Sequence, residues 1–123
     1  DEDLRAICTE MGLMGAIDRL PDGMATRLDA QAQTLLPSGF KRSLAVAQAL
    51  LTQPKVLLLD DPARSLDPQL ERALIAALEA RRGATTIVMI THRPSHVRCA
   101  DFEIAMQEGR VARFGPVKPA EGA

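Results

Sequence analysis

The apolar positions change spacing several times along the chain. Leu4, Ile7, Cys8 and Met11 share one helical face, and after Gly12 a second set follows at Leu13, Ile17 and Leu20. This predicts one or two short helices over residues 1–20. Pro21-Asp22-Gly23 makes a turn. The stretch Met24 to Leu35 is polar and rich in small residues without a clear period, and is predicted to be loop. From Ser38 to Gln53 the pattern becomes helical again, with Leu44, Ala45, Val46, Ala47, Ala49, Leu50 and Leu51. That helix is apolar on most sides and is expected to be buried on most sides; Pro54 ends it.

Val56-Leu57-Leu58-Leu59 is a continuous apolar run, as in a strand of a parallel sheet covered on both faces. After Pro62, Asp67-Pro68 offers an N-cap and a first helical residue, predicting a helix to about Arg82 that stops at Gly83. Thr85 to Ile90 is a second β-branched run and a second buried strand. Phe102 to Met106 and Arg110 to Phe114 flank Glu108-Gly109 and predict a hairpin. The tail from Pro116 is rich in Pro, Ala and Gly and is expected to fray. Strand, helix, strand and hairpin imply an α/β fold with a right-handed crossover.

Composition narrows the class. Hydrophobic residues make up 46 % of the 123 residues and aromatic ones only 2 %, so Leu, Ile, Val, Ala and Met must build the core. The formal net charge of -1 gives no global pull toward nucleic acid or an anionic membrane. No apolar run approaches the roughly 18–20 residues of a membrane span, so the chain reads as soluble. Cys8 and Cys99 lack metal-ligand spacing and are expected to be unpaired thiols of a reducing compartment. The first residue is Asp1 rather than Met, which suggests a piece trimmed from a longer protein.

The densest chemistry lies in Val56 to Pro62, where Asp60 and Asp61 close a buried strand. Carboxylates at the carboxyl end of an α/β strand stand where such sheets bind ligands. The first can hold Mg²⁺ through its water shell and the second can orient an attacking water. A turn or helix-capping aspartate would look the same in isolation. The second strand ends in Thr91-His92-Arg93-Pro94-Ser95, where His92 could reach a terminal phosphate or be a solvated loop residue. Leu36-Pro37-Ser38-Gly39-Phe40 precedes the long helix, whose free N–H groups form an anion site or an ordinary cap.

In this order and spacing the segments resemble the ATP-binding cassette (ABC) ATPases. Leu36 to Phe40 is similar to the signature Leu-Ser-Gly-Gly-Gln, and Val56 to Pro62 to the Walker B strand with its catalytic Glu and Pro. Ser65-Leu66-Asp67 matches the D-loop and His92 the switch histidine; Leu20-Pro21-Asp22-Gly23 resembles a turn in exporter-type helical subdomains. The resemblance covers about Asp3 to Pro116. It implies the C-terminal half of a nucleotide-binding domain: a partial P-loop NTPase-type sheet with an N-terminal helical subdomain. The parts would be 1–37 as helical subdomain, 38–116 as ATPase core with Walker B strand, switch strand and hairpin, and 117–123 as tail. Thr91 to Ser95 and Gly109 to Pro116 are further similar to segments of bacterial type I secretion exporters.

Three features depart from the family. No Gly-x-x-x-x-Gly-Lys-Ser/Thr loop occurs, since none of the eight glycines precedes a lysine. Counted back from Asp60 without a gap, Pro37 takes the signature serine position, Ser38 and Gly39 the two glycines, and Phe40 the glutamine. Asp61 replaces the catalytic glutamate, and the missing methylene withdraws the carboxylate by about 1.5 Å.

The resemblance implies an ATPase with ATP and Mg²⁺ as cofactors, working as a head-to-tail dimer with a second nucleotide-binding domain. One chain would supply Asp60 for the metal, with Asp61 and His92 as catalytic residues. The other would supply Leu36, Pro37, Ser38, Gly39 and Phe40 with Ser65, Leu66 and Asp67. A transmembrane permease domain and the cytoplasmic face of the bacterial inner membrane are implied for the parent, and nucleic acid is not. The piece alone is expected to be inactive and to self-associate. The alternative is an ATP-sensing subunit that hardly hydrolyses; an ABC-type ATPase of DNA repair is a weaker third reading, without a basic patch to support it.

Overall fold

The structure, a computed structural model, describes residues 2–117. The expected fraying of the tail lies almost wholly outside them. The chain divides into two compact units, Asp1–Met89 and Ile90–Ala123.

In the first unit α1 (Glu2–Glu10) and α2 (Met14–Ile17) meet at Gly12, which turns the chain at φ +71. Ile7, Cys8, Met11, Leu13 and Ile17 are buried there, as their spacing predicts. A single 3-10 turn (Gly23–Ala25) and α3 (Ala30–Leu35) then fill the stretch predicted as loop. The Asp29 side chain starts α3 by accepting the Ala32 amide at 2.7 Å. One Asx cap thus makes a short helix that apolar periodicity does not show.

The helix α4 (Ser38–Leu51) packs against α1 and buries Phe40, Val46, Ala47 and Leu50. It is covered on one side rather than on most, since Ala45, Gln48 and Leu51 are exposed. β1 (Val56–Asp60) follows, then α5 (Pro68–Glu79) and β2 (Thr86–Ile90), which pairs with β1. Asp67 caps α5 by accepting the Leu70 amide at 2.8 Å, with Pro68 next as predicted. Leu74, Ala77 and Leu78 recur at helical spacing and bury the face of α5. Each large aliphatic side chain buried this way contributes about 1.5–3 kcal/mol. Gly83 lies at φ +87 a few residues beyond the helix end, which falls at Glu79 rather than Arg82.

The strands correct one expectation. Leu57 and Leu59 are buried in the helical core, whereas Val56 is 57 % and Leu58 73 % exposed. Val88 and Ile90 are exposed as well. Helices cover one face of the β1–β2 pair, and an apolar second face stays open to solvent. A run of apolar residues reports a strand suited to two covered faces, not how many this chain covers.

In the second unit a short helix, α6 (Pro94–Arg98), precedes β3 (Phe102–Gln107) and β4 (Arg110–Pro116), which form the predicted hairpin. Gln107 pairs with Arg110 across Glu108-Gly109, both at positive φ, as a two-residue primed turn requires. Phe102 and Phe114 stack with ring centroids 6.0 Å apart, and Arg113 pairs with Glu103 at 2.9 Å. Cys8 is a buried thiol, and the Cys99 thiol donates to the Ser95 carbonyl at 3.2 Å. No helix among the described residues is long and apolar enough to cross a membrane.

Candidate functional site

Most of the predicted site residues fall in the first unit, around the segment that joins β1 to α5. Asp60 ends β1 with its side chain exposed. Asp61 follows at φ +45, a left-handed conformation that aspartate tolerates better than most residues. Its carbonyl oxygen accepts the Arg64 amide at 3.1 Å, and the Ala63 carbonyl accepts the Leu66 amide at 3.1 Å. These bonds fold 61–66 into a tight turn with Pro62 and Ala63 buried beneath it and Ser65 at φ +65. Leu66 is half-buried, and the Asp67 carboxylate is engaged as the α5 cap.

Against this turn stands the first residue pair of α4 that is buried. Gly39 and Phe40 are both covered, Phe40 as a member of the core, while Leu36 is half-buried and Pro37 and Ser38 are exposed. Gly39 lies so close to the Ser65 carbonyl that a Cβ would overlap its oxygen. Only glycine permits that approach. Pro37 is the N-cap of α4 and supplies no side-chain cap bond, so no side chain of its own occupies the amides of the first turn. From the same helix Arg42 sends Nη1 to the Asp61 carbonyl at 3.4 Å. The sequence pattern does not single out Arg42; its one signal is a charged residue inside a mostly apolar helix. The Arg42 Nε and the Ser43 hydroxyl are buried with no hydrogen-bond partner among the described residues.

His92 lies in the second unit, exposed on the segment that follows β2. Beside it, Thr91 Oγ1 accepts the Arg93 amide at 3.1 Å and faces Nδ1 of His96 at 3.4 Å. His96 is 2 % exposed and does not stand out in the sequence, because α6 is too short to show a period.

The donor set bears on what the turn could bind. Among the described residues no three His, Cys, Asp or Glu side chains gather to hold a metal by themselves. Mg²⁺ is usually held by one or two carboxylates, waters and substrate phosphates, and the exposed Asp60 beside Asp61 fits that role. The uncapped start of α4 fits an anion. No Gly-x-x-x-x-Gly-Lys-Ser/Thr loop occurs in the 123 residues.

Comparison with known proteins bears on the family and the fold. A family model described as "AAA domain, putative AbiEii toxin, Type IV TA system" matches residues 22–97. The ABC-type transporter fsqE of Aspergillus fumigatus is 34 % identical over 94 % of the chain and 9 % of its own length. The mitochondrial potassium channel ATP-binding subunit of Xenopus tropicalis is 40 % identical over 80 % of the chain and 14 % of its own length. The solved structure of a bacterial Atm1-family ABC exporter with ATP bound superimposes with a TM-score of 0.83 at 27 % identity, over 94 % of this chain and 20 % of that one. The chain thus spans 9 % to 20 % of the length of these proteins. It belongs to the AAA-type domains, and its fold matches part of an ABC nucleotide-binding domain.

Proposed function

We propose that this chain supplies the signature and Walker B side of a nucleotide-binding domain that couples ATP binding and hydrolysis to export. The observation that carries the reading is the packing of Gly39 on Ser65. It joins the segment similar to the ABC signature to the segment similar to the D-loop, the two parts a partner's nucleotide would meet together. When bound, Mg-ATP supplies the bond to be broken and a metal that neutralises developing charge. Asp60 holds the metal's water shell, Asp61 orients the attacking water, and His92 contacts the terminal phosphate. In the opposite composite site, Leu36, Pro37, Ser38, Gly39 and Phe40 present the start of α4, and Ser65, Leu66 and Asp67 form the loop beside it.

Residues 1–37 act as the helical subdomain and 38–116 as part of the ATPase core. The partners are a second nucleotide-binding domain, head to tail, and a transmembrane permease at the cytoplasmic face of a bacterial inner membrane. The similarity of Thr91 to Ser95 and Gly109 to Pro116 to type I secretion exporters supports protein or peptide as cargo. The chain by itself is inactive, because it lacks the loop that makes most triphosphate contacts.

Two residues favour a second reading, an ATP-sensing subunit with slow turnover. Pro37 brings neither a hydroxyl nor an N–H to the start of α4, and Asp61 is short by one methylene.

The test is the Mg²⁺-dependent ATPase rate of the intact transporter carrying this sequence, with and without Asp60→Asn. The substitution should lower the rate by roughly 100-fold or more, because a catalytic metal is worth several kcal/mol. A rate near that of the unsubstituted protein would remove Asp60 from the metal site and the reading with it.

A further inference from the structure

The turn that carries Asp61 is held at both ends by one helix. At its far end the Ser65 carbonyl rests on Gly39, and at its near end the Asp61 carbonyl accepts Nη1 of Arg42 at 3.4 Å. That carbonyl already accepts the Arg64 amide, so two donors converge on one oxygen. The peptide they hold belongs to a non-glycine residue at φ +45, a region that side-chain-bearing residues occupy sparsely.

Arg42 is half-buried, and its Nε is shielded from solvent without a hydrogen-bond partner among the described residues. Withdrawing guanidinium donors from water is costly. An arginine whose only task was solubility would extend its head group into solvent instead. Here the head group turns inward to the Asp61 backbone.

We infer that Arg42 is a positioning residue for Asp61. Its guanidinium fixes the peptide that sets where the Asp61 carboxylate points, and the carboxylate in turn orients the water. Because Arg42 rides on α4, the orientation of one site's carboxylate follows the helix whose first turn faces the other site. This rests on the proposed role of Asp61. It adds a mechanical link within one chain between its two half-sites.

The experiment is steady-state ATP hydrolysis by the intact transporter carrying this sequence. It compares Arg42→Ala, Arg42→Lys, Asp61→Asn and the Arg42→Ala/Asp61→Asn pair. Arg42→Ala should lower kcat roughly tenfold, since misplacement by about 1 Å costs up to about 100-fold, and leave KM for ATP within about twofold. Arg42→Lys keeps a charged donor and should recover part of the loss; it also serves if the alanine variant fails to fold. In the Asp61→Asn background, Arg42→Ala should add nothing. An unchanged kcat in both Arg42 variants, or an equal further loss on top of Asp61→Asn, would overturn the positioning role. An Asp61→Asn rate equal to that of the unsubstituted protein would instead remove the role of Asp61 itself, a result separable from either.

Discussion

Gly39 in the first turn of α4 lies against the Ser65 backbone, where a Cβ would overlap the carbonyl oxygen and stand 3.2 Å from its carbon. Backbone cannot step aside as a flexible side chain can, so room must come from a shift of the 61–66 turn or of α4. Gly39→Ala should therefore destabilise the chain by about 1–3 kcal/mol, the usual cost of overpacking. Urea unfolding measures it, and a midpoint equal to that of the unsubstituted chain would show that the two segments part easily.

The residues around this contact are largely legible in the sequence. The order of Leu36 to Phe40, Asp60-Asp61 and Ser65 to Asp67 suggests a site by resemblance, and Asp67-Pro68 announces α5 through cap chemistry alone. The contact between Gly39 and Ser65 is not legible, because it joins residues 26 positions apart through backbone atoms. Arg42 escapes for a related reason: its partner is a carbonyl, which leaves no mark on sequence pattern. The apolar run at Val56 to Leu59 identifies β1 correctly yet overstates its burial, since hydrophobicity records a preference and not the presence of a covering layer.

Asp67 has a structural task that can be separated from its proposed role in a dimer. Its carboxylate caps α5 on the Leu70 amide, so Asp67→Ala should cost about 1 kcal/mol, whereas Asp67→Asn should cost little. Thermal unfolding of the two variants decides. Equal midpoints for both would show that the cap contributes nothing.

Glu10 and Arg81 form a two-bonded ion pair, at 2.7 and 3.0 Å, between α1 and the residues just after α5. The hydrogen bonds from Arg81 hold the Glu10 carboxyl below its ordinary value of 4.5. A depressed carboxyl contributes stability that is complete above the unfolded value and is lost as pH falls through the folded one. Glu10→Gln should therefore be less stable than the unsubstituted chain at neutral pH, by at most about 1 kcal/mol at so exposed a pair. The difference should shrink as pH falls below 4.5 and close once pH has passed through the depressed folded value. An equal difference at neutral and acid pH would assign it to something other than charge.

The open face of β1 and β2, with Leu58 73 % exposed, gives an apolar surface that water wets poorly. The isolated chain should form concentration-dependent oligomers in sedimentation velocity, and Leu58→Lys should shift them toward monomer. A monomer at every concentration without the substitution would contradict this.

The most direct test of the central claim, that Asp61 is the water-orienting residue of a weakened ABC ATPase site, is the steady-state ATPase rate of the intact transporter with Asp61→Glu. The added methylene returns about 1.5 Å of reach, and recovering a misplacement of about 1 Å is worth up to about 100-fold. The rate should rise, with Asp61→Asn lowering it. A glutamate variant that is no faster, or slower, than the unsubstituted protein would contradict the account.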